Sequence, residues 1–130
     1  MYKVYFILIP LLLNSSKERS KIDYHQLKVS ASAYNSVAWQ TKAINPNIAA
    51  WGDTLKSGMK AIAVSRDLID SGLIHNTKVL IEGFQDTFLV KDKMHHRWQK
   101  KIDIYMGEDI AKAKKWGNKK VVIRWAKTPY

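Results

Sequence analysis

The chain contains no cysteine. That excludes a disulfide framework, a thiol nucleophile and any thiolate metal site. Acidic residues are scarce: 11 Asp and Glu stand against 22 Lys and Arg, a formal net charge of +11. Several motifs are also missing. No G-x-S-x-G elbow sets up a serine nucleophile, and no Walker or dinucleotide glycine pattern appears. His95 and His96 are adjacent rather than spaced as H-x-x-x-H, so the pattern for a helical metal site is lacking.

What is present fits one ordinary domain. The chain has 130 residues, 46% hydrophobic and 25% charged, which is enough to pack a core. Lys3 precedes an apolar run from Val4 to Leu13, and a polar stretch from Asn14 to Ser20 follows. A basic start, a short apolar segment and small polar residues make a signal-peptide pattern. The run is short for a membrane-spanning helix. Residues 1–27 are therefore read as a signal peptide or N-terminal anchor plus a polar linker, and 28–130 as the folded domain. The expected location is extracytoplasmic, exported or anchored to the membrane by the apolar segment. A buried first strand is the alternative for that segment.

The positive charge favours an anionic partner: nucleic acid, an acidic membrane surface or an acidic wall polymer. No recognition helix or RNP-type motif accompanies the basic residues, which argues against nucleic acid.

Short apolar segments predict strands at Val29–Tyr34, Ala61–Val64, Lys78–Gly83, Phe88–Asp92, Ile102–Met106 and Lys120–Ala126. Arg66–Gly72 reads as a helical turn closed by its glycine. Glu108–Trp116 is the best helix, with acids at its start, lysines at its end and Gly117 as a stop. Its Ile110, Ala113 and Trp116 share a face that should dock on the sheet. A helix between the last two strands suits a small closed barrel with crossover connections. Asn35–Met59 reads as a long loop carrying Trp39 and Trp51, either plugging the barrel or binding ligand.

Asp103 is the sharpest chemical candidate. In Ile102–Met106 the apolar residues alternate onto one face, leaving Asp103 and Tyr105 together on the other. A carboxylate inside an apolar strand is costly unless it is hydrogen-bonded or functional. Burial or a second carboxylate would raise its pKa and make it a general acid near neutral pH. The alternative is a structural aspartate bonded to amides or to a lysine.

The ordered stretches Ile62–Asp67, Lys78–Gly83, Val90–Asp92 and Lys101–Met106 resemble the 3D domain, a family named for three aspartates. Ser32-Ala33-Tyr34 and Ala49-Ala50-Trp51-Gly52 are similar to the family's T-A-Y and T-A-S-G elements. The resemblance implies a six-stranded double-psi β-barrel with one or two short helices, RlpA-like, similar to the catalytic barrel of membrane-bound lytic transglycosylase A. It implies cleavage of peptidoglycan glycan strands. It carries the family aspartates onto Asp67, Asp92 and Asp103, the last as general acid, with Tyr34, Trp51, Tyr105, His96 and Trp98 as substrate-binding candidates. Two departures stand out. Ser65 occupies the place after Ala63-Val64 where the family usually has an aspartate, and Asp92-Lys93-Met94 stands where many members have D-x-G-G. No cofactor and no metal are expected. The alternative function is a noncatalytic barrel that binds wall carbohydrate.

Overall fold

The computed structural model describes residues 2–3, 21–37 and 47–127. The apolar segment Val4–Leu13 and Trp39 lie outside the described residues. Among the described residues no helix is long and apolar enough to cross a membrane.

The elements run β1 (Tyr24–Tyr34), β2 (Ala61–Val64), α1 (Arg66–Asp70), β3 (Lys78–Ile81), β4 (Thr87–Lys93), β5 (Lys101–Tyr105), α2 (Ile110–Trp116) and β6 (Lys119–Ala126). The strands close into a mixed six-stranded barrel in the order β1-β5-β2-β4-β3-β6. β1 runs parallel to β5, β2 runs parallel to β4, and every other pairing is antiparallel. Advancing each strand number by three reproduces the same pairings, so two interlocked halves build the barrel. β1 begins at Tyr24, paired with Ala126, inside the segment that reads as linker.

Closure removes exposed sheet edges and turns alternate residues of each strand inward. The interior is filled by Val29 and Ala31, Ile62 and Val64, Val79 and Ile81, Phe88 and Val90, Ile102 and Ile104, with Val121, Ile123 and Trp125. Each fully buried aliphatic or aromatic side chain contributes about 1.5–3 kcal/mol. A packed interior leaves the site to the outer surface.

The helices stop where the sequence suggests. Asp109 caps α2 by accepting from the Lys112 amide at 3.0 Å, and Gly117 ends it at a positive φ of 66°. Trp116 donates its indole N–H to the Ala31 carbonyl at 3.0 Å, fixing α2 against β1. Glu108 lies before the helix.

The segment 47–59 forms a second layer over part of the outer surface. It folds back on itself through Ala49 N to Asp53 O at 2.8 Å and an isolated bridge between Ile48 and Thr54. Its Ala49 and Leu55 bury Ala61 and Tyr105, with Tyr34 and Met59 at the edge. Tyr105, a substrate-binding candidate on the face it shares with Asp103, is only 4% exposed because this segment covers it.

Gly107 seats the cover against the barrel. Its φ is +56°, and an added Cβ would lie 2.9 Å from Ser57 Oγ and 3.0 Å from Ser57 Cα. Gly107→Ala should destabilise the fold by about 1–3 kcal/mol. In hydrogen exchange, protection should fall in 47–59 more than in β3 or β6.

Candidate functional site on the outer face of the barrel

Four strands lay one row of residues side by side. Asp92 on β4 pairs with Ala63 on β2, Ala63 pairs with Asp103 on β5, and Asp103 pairs with Ser32 on β1. Residues opposite each other on paired strands share a face, so only the methyl of Ala63 stands between the two carboxylates.

Asp92 reaches this row through a β-bulge. Phe88 and Val90 alternate inward, and Asp92 would follow them. The register of β4 shifts instead: Ile62 pairs with Val90, the next residue Ala63 pairs with Asp92, and Lys91 is the extra residue. Bulges redirect side chains in this way and recur beside active sites.

Each carboxylate has a defined partner. Ser32 Oγ donates to Asp103 Oδ1 at 3.0 Å. The amides of Ala50 and Lys93 donate to Asp92 Oδ1 at 2.8 and 2.9 Å. Burial pushes the Asp103 carboxyl up to about 6; the Ser32 hydrogen bond and the Lys101 charge oppose this, and the charge of Asp92 adds to it. Burial also raises Asp92, against the two amides and the Lys93 charge. The pair thus holds a proton far more readily than ordinary surface carboxylates do.

Tyr34 completes the group. Burial, then the charges of Asp92 and Asp103, drive its phenol far upward, so it stays protonated. Among the described residues its hydroxyl is buried without a hydrogen-bond partner, a donor held ready beside two acids. Tyr105 packs against it with ring centroids 5.4 Å apart, and the Tyr105 hydroxyl is spent on Ser36 at 2.7 Å. Tyr105 therefore supports Tyr34 instead of meeting a ligand directly.

Asp67 is engaged elsewhere. Its Oδ2 accepts from the Lys100 amide at 2.9 Å. Burial raises its carboxyl, but hydrogen bonds from Ser65, from Lys100 and from the start of α1 outweigh it and hold the pKa below the ordinary value. Ser65, fully buried, accepts from the Lys101 amide at 3.0 Å. Ser65 and Asp67 together pin the loop between β4 and β5. His96 and Trp98 lie on that exposed loop, joined to the acid row through Lys101.

Trp51 stacks on His75, with centroids 5.0 Å apart, and Lys93 Nζ lies 5.4 Å from its ring centre. The sequence reading missed its neighbours. His75 hydrogen-bonds Asp53, and Lys91 contacts Asp53 at 3.4 Å and Asn76 at 2.6 Å. This network ties the cover to the chain between α1 and β3 and so holds the Ala50 amide on Asp92. Ser32 was also missed as a partner of Asp103, although a polar residue inside β1 was a visible signal. Among the described residues no cluster of three or more His, Asp or Glu could hold a metal.

No protein-family model and no curated protein matches the chain.

The raised pKa has a thermodynamic consequence. The folded state holds a proton on Asp103 between about pH 4 and 6, where the unfolded chain has released it, so this group's contribution to stability declines as pH rises through that window. Asp103→Asn keeps the acceptor for Ser32 and removes the penalty. It should stabilise the protein at neutral pH by about 1–3 kcal/mol, with the gain vanishing below about pH 4. Denaturant melts of both proteins across pH check this. A destabilised Asn variant at neutral pH would contradict the assignment.

Proposed function

We propose that this chain cleaves the glycan strands of peptidoglycan as a lytic transglycosylase, with Asp103 as the single acid–base group. The observation that carries the reading is a carboxyl raised to about 6 on an outer strand face, with a second carboxylate and an unpartnered phenol beside it. Perturbed acids grouped in this way are typical of catalytic sites.

Protonated Asp103 gives its proton to the leaving glycosidic oxygen as the bond to the anomeric carbon breaks. The resulting carboxylate takes the proton of the sugar's own 6-hydroxyl as that oxygen attacks the same carbon. The product is a 1,6-anhydro sugar, no water is consumed, and Asp103 ends protonated. Two-carboxylate hydrolysis uses a second carboxylate as base or nucleophile, whereas two amides hold Oδ1 of Asp92. Asp92 instead adds a small like-charge push to the burial that raises Asp103, and Tyr34 donates to the substrate or to Asp103 when the site fills.

The alternative is a noncatalytic barrel that binds wall carbohydrate, favoured by the exposed Trp98 with Lys101 Nζ 3.8 Å from its ring centre. Mass spectrometry of wall digests separates the two. The wild type should release anhydro-muropeptides, with a rate that falls as pH rises through about 6. Asp103→Asn should lower that rate by at least about a hundredfold while remaining folded. Binding to wall without product release would leave the noncatalytic reading standing.

A further inference from the structure

β1, β3 and β6 contain no Asp or Glu, yet they carry Lys28, Lys78, Lys119, Lys120 and Arg124. Alternation turns Val29, Val79, Val121 and Ile123 into the core. Lys28, Lys78, Lys120 and Arg124 therefore point outward, and all four are exposed.

Sheet register strings these four into one line. Ser30 pairs with Lys120 and Lys28 with Val122, so Lys120 and Lys28 are diagonal neighbours. Lys28 and Arg124 are diagonal across the same two strands. Arg124 pairs with Leu80 on β3, which makes Lys78 the next diagonal neighbour. Diagonal positions lie about 7–8 Å apart, so the cations follow one another at nearly even steps. Among the described residues the ion pairs engage Lys60, His75 and Lys91 and none of these four. Tyr24 orients Arg124, whose guanidinium carbon lies 5.1 Å from its ring centre. The acid Glu82 borders the line, with its amide on the Val122 carbonyl at 2.9 Å. Gln26, Leu80, Glu82, Val122 and Arg124 line a groove of about 400 Å³.

We propose that this face binds a linear phosphodiester polymer in which short neutral polyol units separate the phosphates. An extended three-carbon unit joins successive phosphates through six bonds of about 1.5 Å, which places them about 7 Å apart. That matches the step of the cations. The groove beside Arg124, with half-buried Leu80 and Val122, takes the neutral unit. Single-stranded nucleic acid has comparable charge but draws affinity from aromatic platforms. Tyr24 is the exposed aromatic on this line, and Arg124 covers its ring. A lipid surface favours exposed apolar side chains that insert between headgroups, whereas the apolar residues between these cations are half-buried. In the strand order β6 and β3 lie across the barrel from β2 and β5, so a polymer held here leaves Asp103 open. The inference does not depend on the glycan-cleaving reading.

Fluorescence anisotropy of end-labelled poly(glycerol phosphate), titrated with the full chain, tests it. Added salt should weaken binding with a log–log slope of about −3, the value for four ion contacts on a single-stranded polyanion. Combining Lys28→Gln, Lys120→Gln and Arg124→Gln should weaken binding at least about tenfold and flatten the slope by about 2. Combining Lys56→Gln, Arg97→Gln and Lys100→Gln removes the same charge from the loops around the acid row, and should change affinity by less than about threefold. All six side chains are exposed. Glu82→Gln should tighten binding. Equal losses in the two triple variants, no binding of the polymer, or tighter binding to single-stranded DNA of equal charge or to phosphatidylglycerol vesicles would each overturn the proposal.

Discussion

Two carboxylates separated by one alanine methyl are the constraint around which the site is organised. Asp92 and Asp103 face each other across Ala63 on a surface partly roofed by residues 47–59. Burial raises both, and the charge of Asp92 adds a smaller push to Asp103. The surrounding structure opposes that rise with directed donors: Ser32 for Asp103, and the amides of Ala50 and Lys93 for Asp92. Loss of the roof would hydrate the acids and return them toward ordinary values. The Asp53–His75–Lys91 network and the close seat of Gly107 on Ser57 therefore matter to the chemistry although neither touches Asp103.

The barrel explains why the site is on the outside. Alternating apolar residues from six strands fill the interior. Outward positions on β4, β2, β5 and β1 remain, and the crossover segments lie over them. The β4–β5 loop, pinned by Ser65 and Asp67, leads from the strand of Asp92 to that of Asp103. The 47–59 cover reaches the row through the Ala50 amide on Asp92. Sheet register sets the carboxylate pair itself, so rigid elements hold the reactive groups while the connections supply cover and charge.

Strong local periodicity made much of this legible in advance. Alternation in Ile102–Met106 put Asp103 and Tyr105 on one face, and they do share it. Acids, lysines and Gly117 marked α2, which forms with Asp109 as its cap. What escaped detection depends on non-local geometry. Tyr105 is buried because Ala49 and Leu55, which belong to no periodic segment, fold over it. Asp92 faces outward only because Lys91 is a bulge, and regular alternation would have turned it inward. Asp67 looked like a third member of an acid triad. Starting α1 two residues beyond the strand sends it to the Lys100 amide instead. The link between His75 and Asp53 spans two loops and leaves no local trace.

The raised pKa of Asp103 is the physical claim on which the rest turns. Carbon-13 NMR of its carboxyl, titrated in the wild type and in Ser32→Ala, tests it most directly. The wild-type group should titrate near 6. Loss of the Ser32 donor should move it higher still, because that hydrogen bond favours the charged form. A wild-type midpoint near 4, or a downward shift in Ser32→Ala, would contradict the account.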